Sequence, residues 1–150
     1  VEHFALTANN ITYAAFGEPF DEVWAIFDDP SLQPKWLGMM KSFKQVKGKG
    51  NAKGAVQSVV FTRDSGDTEL TVTILDHDPS GQIVARYEGM QLPFVLTSNF
   101  IDLDDDSTEW TAEIEVKLSL LQKALTPVLK GAMGDLAKQM GSDFKEYVES

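Results

Sequence analysis

The amino-acid sequence predicts an α+β fold in which one strand and two short helices precede six antiparallel strands and a long C-terminal helix. Between residues 39 and 117 there is no long helical stripe, and five clusters of Gly, Asn, Asp and Pro separate six extended stretches. After Ser119 the apolar residues instead recur at intervals of three and four, which is typical of one face of a helix.

The first elements follow from local signals. Residues 3–16 are rich in Thr, Ile, Tyr and Phe without a helical stripe, and this composition predicts a strand. Pro19 fits the first turn of a helix, where its missing N–H costs nothing, and apolar residues recur at helical spacing from Phe20 to Phe27. The helix should end at residues 28–30, and a short helical turn is predicted over residues 31–37.

The six extended stretches predict an antiparallel meander with one covered face and one wet face. The last stretch alternates most clearly, because apolar and polar residues succeed each other from Trp110 to Leu118. In the sixth strand of the chain both faces are apolar, and the sequence leaves open which of them points inward. The residues predicted on the inner face of the last strand are Trp110, Ala112, Ile114, Val116 and Leu118.

The C-terminal helix is predicted from Ser119 nearly to the end of the chain. Pro127 belongs in a first turn or marks a kink, whereas Gly131, Gly134 and Gly141 each cost about 1 kcal/mol relative to Ala. Small residues allow a backbone or a ligand to approach closely, and a helix of modest stability is the alternative interpretation. The apolar stripe comprises Leu125, Leu129, Ala132, Met133, Leu136, Met140, Phe144, Tyr147 and Val148.

Length and composition limit the classes of protein to which this chain can belong. With 150 residues, 43% of them apolar, it can bury one core without metal or disulfide staples, and we expect one domain over residues 1–150. The absence of cysteine excludes thiol nucleophiles, thiolate zinc sites and disulfides.

The charge balance argues against several partners. Thirteen basic and 23 acidic side chains give a formal charge of -10, which repels phosphate backbones and anionic lipid surfaces, so we expect no nucleic-acid partner. The longest apolar run, residues 23–27, is far shorter than the roughly 18 residues of a membrane span. We expect a cytoplasmic location, while the oligomeric state and the removal of a leader before Val1 stay open.

The sequence offers few catalytic or metal-binding constellations. Its two histidines are His3, near one end of the chain, and His77, beside a predicted turn, so a His-assisted nucleophile is not expected. The acidic run at residues 102–106 lacks the glycine and the terminal glutamate of a calcium loop, and we interpret it as a solvated hairpin tip. We expect no catalytic residue of these kinds, no metal site and no cofactor.

Short motifs along the whole chain carry a family resemblance. They are Pro19-Phe20-Asp21-Glu22-Val23-Trp24, Asp29-Pro30, Pro34-Lys35-Trp36, Gly54-Ala55-Val56, Tyr87, Pro93, Pro127 and Phe144-Lys145-Glu146-Tyr147-Val148. With the order of elements, they resemble the START-like (SRPBCC) superfamily, in particular its polyketide cyclase/dehydrase-like branch. The resemblance implies a helix-grip fold: a curved seven-stranded antiparallel sheet wrapped around a long C-terminal helix, with two short helices after the first strand.

The resemblance also implies an internal cavity for a small hydrophobic or aromatic molecule, which we expect to exceed about 300 Å³. Tyr87 is predicted to point inward and Arg86 outward, because a buried ring fits a half-buried strand better than an unpaired guanidinium. Ser98 and Asn99 cannot both point inward. The predicted ligand-binding residues are Trp36, Met40, Phe43, Val59, Phe61, Tyr87, Phe94, Trp110, Leu129, Met133 and Met140.

Three functions fit this resemblance. The favoured one is a carrier, sensor or sequestration module for a small hydrophobic or aromatic molecule. The second is a polyketide cyclase- or aromatase-like enzyme, in which Tyr87 and a second polar side chain would polarise carbonyls. Cyclase-like members often place an Arg where this chain has Gln57 or Ser58, so catalysis is disfavoured. The third is a co-chaperone-like interaction module that docks through an exposed loop at residues 90–94, which a packed interior would favour.

Overall fold

The structure is a computed structural model that describes residues 3–89, 92–103 and 106–150, with side chains from residue 16 onward except residue 120. The helices are α1 (Phe20–Phe27), α2 (Gln33–Trp36) and α3 (Thr126–Glu149), with 3₁₀ turns at Pro30–Leu32 and Leu120–Leu125. The strands are β1 (His3–Phe16), β2 (Met40–Lys47), β3 (Val56–Arg63), β4 (Gly66–Asp78), β5 (Gln82–Glu88), β6 (Phe94–Asp102) and β7 (Thr108–Ser119).

All strands belong to one antiparallel sheet with the order β1-β7-β6-β5-β4-β3-β2. Six of them, β2 to β7, follow one another as neighbours and form the predicted meander, while β1 pairs with β7. Register shifts within β1, β2 and β4 mark bulges, which bend and twist a sheet. The curved antiparallel sheet and the long C-terminal helix confirm the α+β helix-grip arrangement that the resemblance implies.

Burial alternates along the central strands, so the concave face of the sheet is the core face. Along β7 the buried residues from Trp110 to Leu118 are those predicted to point inward. In β6 the inward residues are Phe94, Leu96, Ser98 and Phe100. The register explains this choice of face, because Tyr87 pairs with Phe94 and directly paired residues share a face of the sheet.

Five aromatic rings fill the interior beside α1 and α2, and we call them the aromatic cluster. The Trp36 and Phe144 rings lie 4.9 Å apart, and the Phe27 and Phe100 rings lie 4.6 Å apart. This packing closes that end of the sheet. The members of the aromatic cluster are Phe16, Phe27, Trp36, Phe100 and Phe144.

The C-terminal helix begins later than its apolar stripe predicts. Leu120–Leu125 forms a 3₁₀ turn, and α3 starts at Thr126 with Pro127 in its first turn. Leu125 is 45% exposed and Ala132 is also exposed, so including them in a buried stripe was wrong. The buried residues begin at Met133 and α3 packs mostly along β1, while the first two turns of α3 contact the core through the half-buried Leu129. Within the described ranges, no helix is long and apolar enough to cross a membrane.

Two glycines of α3 lie in open space. Among the described residues, a Cβ atom added to Gly131 or Gly134 would meet no atom within 4 Å, so these glycines do not serve the close approach of another part of the described backbone. Gly81 is different, since its φ is +129° and an added Cβ would lie 2.5 Å from the Phe100 carbonyl oxygen. The conformation and the crowding at Gly81 both require glycine.

Strand β2 forms one edge of the sheet. Its pairing with β3 shifts register between Met40 and Ser42 and again between Gln45 and Lys47. Three lysines on β2 are exposed. The Nζ atom of Lys41 lies 2.7 Å from a carboxylate oxygen of Asp67. These lysines are Lys41, Lys44 and Lys47.

Candidate functional site

A pocket of about 480 Å³ lies between the sheet and the first half of α3, and we call it the outer pocket. It lies in the predicted place, beyond Leu125, and exceeds the expected minimum size, but it is open to solvent and is therefore not the internal cavity that the resemblance implies. It lies between the first half of α3 and the concave face of β6 and β7. Its lining comprises Arg63, Ser65, Leu92, Phe94, Ile114, Val116, Leu129, Ala132, Met133 and Leu136.

The walls of the outer pocket are apolar, and its polar groups lie at the rim. Phe94, Ile114 and Val116 supply the sheet wall, and four residues of α3 supply the opposite wall. Arg63 and Ser65, which lie at the β3–β4 turn, are exposed. An apolar ligand could therefore bury its body against the walls while a charged end stayed near Arg63 in water.

A second, much smaller cavity of about 20 Å³ lies deeper on the concave face, and we call it the inner void. Its apolar walls come from Phe27 and from β4, β5 and β6. Among the described residues, its lining also includes several polar side chains and no charged one. These polar residues are Gln33, Asn51, Gln57, Tyr87 and Ser98.

Gln57 is held firmly at the edge of the inner void. Its Nε2 atom donates to the Gly50 carbonyl oxygen and to Asn51 Oδ1, both at 2.9 Å. The Gly50 carbonyl oxygen also accepts from Gln45 Nε2 at 3.1 Å. These bonds tie the loop between β2 and β3 to the inner face of β3.

Tyr87 lines the inner void and contacts a residue of the outer pocket. Its ring stacks on Phe94 with centroids 4.8 Å apart, and Phe94 lines the outer pocket. The side chain is 7% exposed, and burial raises the pKa of Tyr87 to about 12. Among the residues that the structure describes, none hydrogen-bonds the Tyr87 hydroxyl. Tyr87 points inward as predicted, whereas Arg86 lies on the outer face beside Glu88.

The predicted ligand-binding residues fall into four groups. Phe94, Leu129 and Met133 meet at the outer pocket, and Tyr87 lines the inner void. Phe43 is half-buried on the edge strand β2. The others are buried in the core and line neither cavity: Trp36, Met40, Val59, Phe61, Trp110 and Met140.

Sequence reasoning missed several residues of the outer pocket. Ile114 and Val116 could have been predicted as pocket residues, because they lie on the predicted inner face of β7. Ala132 and Leu136 were part of the apolar stripe. For Arg63 no signal existed, since only the folded hairpin brings it to the rim.

Other candidate groups lie away from the two cavities. His77 Nε2 lies 2.9 Å from Asp28 Oδ1, where β4 meets the end of α1. In the part of the chain that the structure describes, no three His, Asp or Glu side chains lie together as metal ligands. Of the acidic run, residues 104 and 105 lie outside the described residues.

The loop proposed for docking a partner is only partly described, because Met90 and Gln91 lie outside the described residues. Its other members differ from the expectation, since Phe94 is buried and Leu92 is half-buried in the lining of the outer pocket. Only Pro93 is exposed. The described part of the loop therefore forms a pocket wall.

Comparison with known proteins gives one family match. The model of the family described as polyketide cyclase / dehydrase and lipid transport matches residues 18–149. No curated protein matches the chain.

Solved structures with this fold are similar over nearly the whole chain. A START superfamily protein from Mycobacterium smegmatis has a TM-score of 0.76 at 13% identity, covering 98% of this chain and 97% of its own. Norcoclaurine synthase from Thalictrum flavum has a TM-score of 0.70 at 14% identity, with coverages of 98% and 94%. The Zhui aromatase/cyclase from a Streptomyces species has a TM-score of 0.68 at 12% identity, with coverages of 98% and 90%. At these identities the similarity establishes the fold.

Proposed function

The chain belongs to the polyketide cyclase/dehydrase and lipid transport family, and from this premise we propose that it binds a small hydrophobic or aromatic molecule in the outer pocket. It would act as a carrier, sensor or sequestration module. The observation that carries the proposal is the outer pocket itself, about 480 Å³ with apolar walls between sheet and helix. Pockets for small molecules typically span about 300–1,000 Å³ and are mostly apolar.

The apolar walls supply the driving force for binding. Removing apolar surface from water contributes about 25 cal/mol per Å². A ligand that buries about 200 Å² against the walls would gain roughly 5 kcal/mol from this term, before the cost of its lost freedom. Met133 and Leu136 have flexible side chains, which suit a pocket that adapts to the shape of its ligand.

Cyclase-like chemistry is a second candidate because two polar side chains, Tyr87 and Ser98, converge on the inner void. The described lining of the two cavities contains no His, Lys or carboxylate that could transfer a proton. Binding therefore has the better support.

Blocking the outer pocket tests the proposal. Ala132 lines it and is exposed, so Ala132→Trp should fill it without overpacking the core. We expect this variant to bind the fluorescent probe 1-aminoanthracene at least tenfold more weakly than the native protein.

Val128→Trp is the matched control, because Val128 is 70% exposed one turn earlier on α3 and does not line the pocket. It should bind the probe within twofold of the native affinity. Far-ultraviolet circular dichroism checks that both variants fold. A native protein without saturable binding, or equal affinities of the two variants, would contradict the outer pocket as the ligand site.

A further inference from the structure

We infer that the ligand of the outer pocket is an amphipathic anion, an apolar body with one carboxylate, and that Arg63 binds this carboxylate at the rim. The inference rests on the function proposed above and adds the chemical class of the ligand. Among the described residues that line the outer pocket, Arg63 alone is charged. The rest of this lining is apolar, apart from Ser65. The pocket thus combines one positive charge with apolar walls.

The place of Arg63 in β3 directs its side chain toward the outer pocket. The residues at every second position before it, Gln57, Val59 and Phe61, are buried on the concave face of the sheet. Arg63 continues this series at the end of the strand, where it is exposed. Its backbone pairs with Gly66 across the tight turn that joins β3 and β4. The guanidinium therefore extends from a fixed backbone position at the rim.

Arg63 has no ion-pair partner among the described residues, although acidic side chains outnumber basic ones by 23 to 13. The other arginine of the chain, Arg86, lies with its Nε atom 3.0 Å from Glu88 Oε1. Of the two acids that follow Arg63 in the hairpin, Asp64 forms no ion pair with it, and Asp67 is paired with a lysine of β2. The Arg63 guanidinium is therefore available to an anionic group of a ligand.

A guanidinium matches a carboxylate in shape and in charge. Its N–H groups lie in one plane and donate two parallel hydrogen bonds to the two carboxylate oxygens. The Ser65 hydroxyl, also at the rim, can donate another. Because the described lining holds a single positive charge, a phosphate dianion would keep one charge unpaired, and an ammonium group would meet a like charge. This lining therefore favours a carboxylate.

The net charge of -10 opposes an anionic ligand mainly at long range. At physiological salt the Debye length is about 8 Å, so exposed charges farther from the rim are largely screened. The segment 117–138, which includes the α3 wall of the pocket, is itself positive, with four lysines and one aspartate. All five are exposed: Lys117, Lys123, Lys130, Asp135 and Lys138. The charges of this wall therefore do not oppose an anion at the rim.

Two probes of nearly the same shape test the inference: 2-naphthoate, and 2-naphthamide, which has an uncharged amide in place of the carboxylate. Affinities are measured at 150 mM salt by displacement of 1-aminoanthracene. The native protein should bind 2-naphthoate about three- to fivefold more tightly than 2-naphthamide, since an exposed ion pair contributes modestly. Arg63→Gln should weaken 2-naphthoate by about the same factor and leave 2-naphthamide within about twofold. Arg63→Lys, which keeps the charge but loses the planar fork, should lie between the two.

Arg86→Gln is the matched control, because it removes the same charge from a residue that does not line the outer pocket. It should leave both affinities within about twofold, so that a loss seen only for Arg63→Gln comes from the position of the charge. Far-ultraviolet circular dichroism checks that the variants fold.

Three outcomes would overturn the inference. If Arg63→Gln weakens both probes alike or weakens neither, Arg63 does not bind the carboxylate, and the outer pocket still stands as the ligand site. If the native protein prefers 2-naphthamide, or prefers the cation 2-naphthylmethylammonium, the ligand class is wrong while the pocket stands. If neither probe displaces 1-aminoanthracene, the proposed function fails for ligands of this size, and the inference fails with it.

Discussion

At the scale of single residues, side-chain direction could be predicted but the boundary between core and cavity could not. Strand alternation correctly placed Tyr87 inward and Arg86 outward, because the period of a strand fixes opposite faces. Trp36 was predicted to contact ligand, yet it packs in the aromatic cluster, with a buried Nε1 atom that has no partner in the described part of the chain. Composition indicates that a residue is buried. Whether its side chain contacts other core side chains or lines a cavity depends on the packing of the folded chain.

The buried hydroxyl of Tyr87 predicts a loss of stability in alkali. Burial raises the pKa of Tyr87 from 10.0 to about 12, so above pH 10 the unfolded chain releases a proton that the folded chain keeps. The free energy of unfolding should therefore fall between pH 10 and pH 12, by about 1.4 kcal/mol per pH unit from this group. Tyr87→Phe should remove this part of the pH dependence, as measured by urea unfolding from pH 9 to pH 11.5.

Tyr147→Phe, at a half-buried position, is the control and should follow the native protein over the same pH range. Parallel curves for the native protein and Tyr87→Phe would show that the ionisation of Tyr87 does not affect folding.

At the scale of elements, periodicity predicted the type of each element better than its packing. The stripe after Ser119 predicted the C-terminal helix, but the 3₁₀ turn at Leu120–Leu125 was not predicted, since its residues fit a helical period as well. Periodicity defines the face that a helix presents and leaves its distance from the sheet undefined. The space between the first half of α3 and the sheet, which forms the outer pocket, was therefore beyond sequence reasoning.

Removing the glycines of α3 should stabilise the protein. At Gly131 and Gly134 an added methyl group meets no atom of the described residues within 4 Å, and Ala restricts the unfolded chain more than Gly does. We expect Gly131→Ala and Gly134→Ala each to add about 0.5–1 kcal/mol, which raises Tm by about 1–4 °C in a chain of this size. Differential scanning calorimetry measures the change.

Gly81→Ala is the opposite control, because strain and the nearby Phe100 carbonyl should lower its Tm. A fall in Tm for both α3 variants would show that contacts of these glycines outweigh the gain in the unfolded chain.

At the scale of the whole molecule, the fold was predicted mainly from the order of strands and helices along the chain. The START superfamily protein with a TM-score of 0.76 is only 13% identical, so the fold is specified mainly by the placement of apolar positions and turns. The function is less well specified. Which side chains line the cavities, such as Phe94, Tyr87 and Ser98, depends on register and curvature, which the pattern of apolar and polar residues leaves undefined.

The overall charge predicts that the protein does not bind nucleic acid. A formal charge of -10 opposes the release of counterions that drives such binding. We expect no saturable binding to a 20-base-pair DNA duplex at micromolar protein and 150 mM salt, as measured by fluorescence anisotropy. Tight binding that weakens steeply as salt rises would contradict this prediction.

The edge formed by β2 also affects how copies of the protein meet each other. An edge strand presents unpaired backbone N–H and C=O groups, to which a strand of another molecule can add, and this is a common start of aggregation. A strand added beside β2 would bring further backbone against Lys41, Lys44 and Lys47, and the two register shifts interrupt the straight edge that continuous pairing needs. The charge and the shape of β2 therefore both oppose edge-to-edge association through this strand.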